Sequence, residues 1–260
     1  MAVATVYFIL YLATGAAAGL LAGLLGVGGG LVVVPALTFA FAAQGYSDTT
    51  AIHAAVGTSL AAIVPTAMVS MRAHHRARMV DWKRFRSLAP ALAIGALAGA
   101  ALARWMDGSL LRASVGLFAL FVALHMGFGG QRKTGGWNPP PAAAGTGIGA
   151  LSALVGIGGG SLTVPYLLRC GLPIHPAVGT SAAGGLPIAL AGSLAFSIGG
   201  GPGIATGIGH IHLPALVSVS AASMLCAPLG ARWAHRTPAA ALRRWFAVLL
   251  GLIGTVMLAG

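Results

Sequence analysis

Two glycine clusters are the residues of this chain whose spacing first suggests chemistry. Residues 24–35 read LLGVGGGLVVVP and residues 154–165 read LVGIGGGSLTVP, 130 positions apart. Gly26, Gly28, Gly29 and Gly30 therefore recur as Gly156, Gly158, Gly159 and Gly160. Neither cluster is a dinucleotide fingerprint, because Leu31 and Ser161 stand where G-x-G-x-x-G needs its last glycine. No strand precedes either cluster and no Lys follows, so a phosphate loop is excluded as well. What glycine runs do offer is backbone that leaves a helix at small steric cost. The segments that follow, LVVVP and SLTVP, then begin helices whose free N–H groups and positive dipole ends face the break. Such ends bind anions without any charged side chain. The alternative is that the glycines only allow helices to pack closely.

A second duplicated motif lies downstream of each cluster. His53-Ala-Ala-Val-Gly57-Thr58-Ser59 returns as His175-Pro-Ala-Val-Gly179-Thr180-Ser181. Thr58, Ser59, Thr180 and Ser181 bring hydroxyls into apolar helices, and Ser161 does so at the second cluster. They read as a site wall, against the alternative that they bond their own i−4 carbonyls. His53 and His175 stand at helix starts near opposite membrane faces and are candidates for proton-titrating gates. The competing reading is a hydrogen-bonded or snorkelled interfacial histidine. Pro35, Pro65, Pro165 and Pro187 recur as paired kinks. His210-x-His212 has no carboxylate or thiol near it in sequence and does not read as a metal site. Cys170 and Cys226 in apolar context read as small buried hydrophobes. GALAG at 95–99 reads as a helix-packing stripe.

The elements that must position these residues are set by composition. The chain has 260 residues, 57% hydrophobic and 7% charged, with no Glu and only Asp48, Asp81 and Asp107 as acids. No soluble surface can be built from that inventory. Residues 1–71 contain no Lys or Arg, and residues 170–231 contain no charged side chain. Runs far beyond the ~20 residues that cross a bilayer mean several transmembrane helices. The apolar segments fall at about 4–25, 30–43, 51–71, 87–105, 109–128, 142–157, 161–171, 174–198, 213–233 and 239–258. The first of them has no positive n-region and reads as a mature segment rather than a signal peptide. The net charge of +12 reflects basic loops between apolar runs. That is a positive-inside pattern rather than a nucleic-acid footprint.

The chain divides into a first transmembrane repeat at 1–128, a Gly/Pro linker at 129–141 and a second repeat at 142–260. The glycine clusters are offset by 130 and the Gly-Thr-Ser motifs by 122, so the first half carries eight extra residues, placed near FAAQGYSDTT. Segment 72–86 holds six Lys/Arg and segment 232–244 holds four, which puts both on the cytoplasmic side with the linker. The basic loop therefore follows the third segment in one half and the fourth in the other. That swap is expected of inverted-topology repeats. The first two segments of each half read either as a re-entrant hairpin with glycines at its tip or as two crossings with the second one broken. The fold expected is an all-α polytopic membrane protein of two inverted repeats.

The paired GVGGGLVVVP and GIGGGSLTVP segments, with HAAVGTS and HPAVGTS downstream, resemble the TauE/SafE sulfite and organosulfonate exporter family, also called the 4-toluene sulfonate uptake permease family. The likeness covers essentially the whole chain. It implies a multi-pass transporter of the bacterial inner membrane that exports small sulfur-containing anions, and places the substrate region at 26–30, 57–59, 156–160 and 179–181. The near absence of acids agrees with an anionic substrate. The partners implied are a small-molecule anion and the lipid bilayer, with no nucleic acid, no cofactor and no metal; a homodimer is an allowed assembly. A cation or metal transporter of the same architecture is the alternative, with carbonyls at the break as ligands. An intramembrane enzyme would need a nucleophile with a base in reach, and no such set recurs with the repeats.

Overall fold

In the computed structural model, residues 2–25, 29–128, 139–198, 207–234 and 239–259 are described. Among them, ten helices carry nearly all of the structure: α1 (Ala2–Leu25), α2 (Gly30–Ala43), α3 (Asp48–Arg76), α4 (Trp82–Trp105), α5 (Gly108–Phe128), α6 (Pro141–Val155), α7 (Gly160–Arg169), α8 (Ile174–Ser197), α9 (Leu213–Ala234) and α10 (Ala239–Ala259). One two-residue antiparallel pair, β1 (Gly207–Ile208) and β2 (Ile211–His212), lies between α8 and α9. Five of the helices, α1, α3, α4, α5 and α8, are long and apolar enough to cross a membrane. The chain is an all-α, multi-pass membrane protein. Helices dominate because a bilayer offers backbone groups no water, so each N–H and C=O must be satisfied within its own segment.

The starts of α3 and α4 carry local signals. Ser47 caps α3 by accepting from the Thr50 N–H at 3.3 Å. Asp81 caps α4 by accepting from the Arg84 N–H at 3.0 Å, so this helix starts five residues earlier than its apolar run suggests. Pro35, Pro65, Pro165 and Pro187 all sit inside helices, in α2, α3, α7 and α8.

The first two helices of each half fold back on themselves. The Tyr7 hydroxyl donates to the Ala43 carbonyl at 2.9 Å, and the Gln44 amide donates to the Tyr11 hydroxyl at 2.8 Å. The start of α1 thus lies beside the end of α2. In the second half the Tyr166 hydroxyl of α7 donates to the Pro139 carbonyl just ahead of α6, at 3.2 Å. The second glycine cluster is accordingly the bend of a helical hairpin, and Gly29 and Gly30 open the returning helix of the first hairpin. At ~1.5 Å per residue, α2, α6 and α7 run about 21, 22 and 15 Å, short of a ~30 Å hydrocarbon core.

Packing exchanges elements between the halves. α1 lies along α9, α4 along α6, α5 along α10, and α3 crosses α8 at the centre. These seams are lined by small residues. A Cβ on Gly15 or Gly19 of α1 would come to 2.5 Å of the Val219 or Ser223 carbonyl of α9. Gly95 and Gly99 of α4 abut the Thr146 and Ala150 carbonyls of α6, and Gly149 of α6 abuts the Leu92 carbonyl. GALAG is thus a packing stripe. Without a hydrophobic drive between helices in lipid, such close backbone approach is what supplies their attraction. The core runs through α3, where residues 51–63 are buried without interruption. Cys170 and Cys226 are only half-buried, unlike the buried small hydrophobes expected from their apolar context; Cys170 falls at the end of α7.

Candidate functional site

The second glycine cluster is a break held by two left-handed glycines. Gly156 ends α6 at φ 78° and Gly159 opens α7 at φ 74°. Residues with a Cβ rarely adopt either conformation, so glycine is required at these two positions. Residues 155–160 are all buried. The Ser59 hydroxyl of α3 donates to the Gly156 carbonyl at 2.8 Å, which satisfies an acceptor that the break releases. Gly158 lies against Ile63, and Gly185 of α8 lies against the Gly158 carbonyl. The tip is therefore held between α3 and α8.

The first cluster meets the second directly. A Cβ on Gly30 would fall 2.5 Å from the Gly156 carbonyl and 2.9 Å from the Ile157 Cα. Gly29 has ordinary right-handed backbone; what it requires is space, since a Cβ would come within 2.7 Å of the Ala18 Cβ. Gly26 and Gly28 lie outside the described residues. Both α2 and α7 start without a side-chain cap.

Unpartnered hydroxyls stand on the helices around this junction. The Ser152, Ser161, Thr163 and Ser181 hydroxyls are buried without a hydrogen-bond partner. Ser152 Oγ and Thr163 Oγ1 lie 3.2 and 3.5 Å from where a Gly159 Cβ would stand. Unsatisfied buried hydroxyls are uncommon, and each calls for an explanation. The three acids sit elsewhere, in the first turn of α3, at the cap of α4 and ahead of α5. The junction thus offers uncapped helix N-termini and hydroxyl donors with no carboxylate beside them, a combination suited to an anion.

The remaining Gly-Thr pairs clamp connections from the opposite half. Gly57 faces the His210 carbonyl, 2.8 Å from where its Cβ would be, and the Thr58 hydroxyl accepts from the His212 N–H at 2.9 Å. Gly179 abuts the Met79 carbonyl, and the Thr180 hydroxyl accepts from the Asp81 N–H at 2.9 Å. These threonines bond across the fold rather than to their own i−4 carbonyls. They lock the frame around the junction.

The two motif histidines part company. His53 is buried, with Nδ1 2.6 Å from the Thr49 carbonyl and Nε2 2.9 Å from the Ala103 carbonyl of α4. His175 is exposed in the first turn of α8. His210 and His212 diverge as well. His212 is buried against Tyr11, Phe41 and Tyr46 and accepts from the Ala215 N–H, whereas His210 packs on Phe196 and His53. Burial, with the adjacent His53 ring and Arg104 guanidinium, holds His210 below the ordinary histidine range. No metal-binding group of three His, Cys or acid side chains occurs among the described residues.

Sequence reasoning missed Ser152 and Thr163. It also missed that Gly15 and Gly19 recur as Gly145 and Gly149, at the 130 spacing of the clusters. That last signal was available.

A multi-pass bundle with two helical hairpins joined at a polar junction is the frame of a membrane transporter. The Sulfite exporter TauE/SafE family profile matches residues 11–257, and the chain belongs to that family. A "Probable membrane transporter protein" of Haemophilus influenzae is 31% identical over 258 residues, covering 96% of this chain and 98% of that one. One of Methanocaldococcus jannaschii is 27% identical over 248 residues, covering 92% and 91%. "Probable membrane transporter protein YunE" of Bacillus subtilis is 30% identical over 201 residues, covering 67% and 72%. No solved structure matches the chain. The protein is a membrane transporter and not an enzyme.

Proposed function

We propose that the chain exports small sulfur-containing anions, sulfite or organosulfonates, through a site where the two hairpin tips meet. The observation that carries this reading is the junction itself. Gly30 packs on the Gly156 carbonyl, uncapped helix starts stand at both tips, the Ser152 and Thr163 hydroxyls lie beside Gly159, and those of Ser161 and Ser181 are buried on α7 and α8 without a hydrogen-bond partner. Thr58 and Thr180 serve as frame, and Ser59 holds the break. Hydroxyls and N–H groups bind an oxyanion by hydrogen bonds, and the lack of a buried counter-charge there lets it leave again. Inside-negative potential favours exit by about 2.3 kcal/mol per charge per 100 mV, so export needs no coupling ion.

Two inverted-topology repeats account for the exchange of elements. α1 on α9 matches α6 on α4, and each Gly-Thr pair grips the other half's connection. On this reading the hairpins are re-entrant from opposite faces and meet near the midplane. Accessibility of single cysteines at positions 44 and 140 to an impermeant reagent tests it: the two should label from opposite sides.

Function is tested in liposomes. Ser152→Ala and Thr163→Val each remove a hydroxyl that bonds nothing in the fold, so thermal stability should hold or rise slightly. Sulfite efflux should fall about tenfold or more in the double variant. Normal efflux in a folded double variant would refute the junction as the site. Metal-dependent flux with none for sulfite would favour the cation reading.

A further inference from the structure

We propose that Ile188 of α8 sets the size of anion the junction admits, so that the site takes a small inorganic oxyanion such as sulfite and excludes the same head group carrying an alkyl substituent. That the anion sits at the junction rests on the proposed function; which class of sulfur anion fits there is decided by Ile188. Three side-chain ends surround the left-handed Gly159. A Cβ at that position would stand 2.5 Å from Ile188 Cδ1, 3.2 Å from Ser152 Oγ and 3.5 Å from Thr163 Oγ1. They come from three different helices, α8, α6 and α7. Both hydroxyls are fully buried and have no hydrogen-bond partner. An oxyanion that accepts from both, at about 2.8 Å from each oxygen, therefore has the Ile188 methyl on its border.

The order of residues in α8 puts Ile188 there. Ser181, Gly185, Ile188 and Gly192 follow one another at helical spacing and share one face. Gly185 brings that face against the tip, since its Cβ would lie 3.1 Å from the Gly158 carbonyl oxygen. Gly192 brings it against α3 and α6, since its Cβ would meet Leu60 Cδ1 at 2.9 Å and the Ala153 Cβ at 3.5 Å. Ile188 stands between these two glycines and is the large side chain that the face drives toward Gly159. It is fully buried, and a β-branched residue in a helix keeps essentially one χ1 rotamer. Its terminal methyl is thus held beside the hydroxyls.

The other side is closed as well. A Cβ on Gly158 would lie 3.3 Å from Ile63 of α3, and residues 155–160 are all buried. An alkyl group on the anion would need the space beside its hydrogen-bonded head that these two isoleucines already fill. Close-packed interiors do not yield such space freely. One methyl group too many in a fitted pocket is worth roughly 10–200-fold in discrimination.

Efflux from liposomes, loaded with sodium sulfite or with sodium methanesulfonate, tests this, because the second anion adds one methyl group to the sulfur. At equal concentration and fixed pH, wild type should move sulfite about tenfold faster or more. Ile188→Val deletes the Cδ1 methyl alone and should raise the methanesulfonate-to-sulfite ratio about tenfold. Ile188→Ala should raise it further and admit ethanesulfonate. Ile188→Leu restores the volume and should bring the ratio most of the way back. A merely structural role would lower both fluxes together and leave the ratio unmoved. If Ile188→Ala does not fold, Ile188→Val and Ile188→Leu decide. An unchanged ratio in folded Ile188→Val, or methanesulfonate moved as fast as sulfite by wild type, would overturn the size filter and leave the junction as the site. A ratio that falls would show Ile188 holding an alkyl group and would overturn it equally. No sulfite flux in wild type, or flux untouched in Ser152→Ala/Thr163→Val, would instead sink the junction reading and the filter with it.

Discussion

The same Gly-Thr clamp closes the two ends of this molecule, and it closes them differently. At one end Gly57 and Thr58 grip His210 and His212; at the other Gly179 and Thr180 grip Met79 and Asp81. The backbone contact is alike in both, a carbonyl against the glycine and an N–H onto the threonine hydroxyl at 2.9 Å. The surroundings are not. Asp81 also caps α4 and pairs with Arg84, so that end carries both signs of charge. The other end gathers His53, Arg104 and His210. Like clamps thus close on unlike groups, the acid that caps α4 at one end and a packed histidine pair at the other.

The first half's extra residues explain part of the difference. α2 is four residues longer than α7, and α3 has four more residues ahead of its motif histidine than α8 has. The insertion is roughly one turn of helix on either side of an equal connection, rather than a longer loop. It moves His53 one turn inward, into reach of the Ala103 carbonyl, while His175 stays at the surface in the first turn of α8. One sequence motif therefore yields a buried tether at one end and an exposed side chain at the other.

The comparison can be broken at several points. The largest effect should come from Gly179→Val, since even a Cβ there would overlap the Met79 carbonyl; folded yield in detergent should collapse. Gly57→Ala, facing the His210 carbonyl at 2.8 Å, should lower the unfolding midpoint by the equivalent of about 1–3 kcal/mol. If both glycines accept alanine without loss, the clamps do not hold the fold. Next, His53→Phe removes a tether between α3 and α4 and should cost about 1–2 kcal/mol, whereas His175→Phe should stay within about 0.5 kcal/mol, read by thermal unfolding. Equal effects would mean that burial does not separate the two histidines.

A finer difference separates the threonines. Thr58→Val strands the His212 N–H in a buried setting, at about 1–3 kcal/mol. Thr180→Val strands the N–H of Asp81, which is half-buried and open to water, so its cost should be smaller. Reversal of that order would show that the His212 end is the wetter one.

Much of the fold was legible in residue order. The charge-free runs give membrane helices, and the glycine cluster at 156–160 marks a break. Of the site, the clusters and the Gly-Thr-Ser motifs were legible as polar features in apolar helices. Their division of labour was not. Thr58 and Thr180 carry no mark that they bond across the fold, and Ser152 and Thr163 look like any hydroxyl on a helix. His210 read as half of a histidine pair with no further ligand near it in sequence.

By itself the sequence determined where backbone can cross lipid and where it must bend, because hydropathy and glycine act locally. Only the tertiary structure decided that the Gly30 bend meets the Gly156 bend, that His53 is inside and His175 outside, and that Arg104, His53 and His210 share one end. Those pairings join residues 50 to 154 positions apart through carbonyl contacts and helix crossings. Nothing in their own neighbourhoods along the chain encodes which distant carbonyl a small residue will admit.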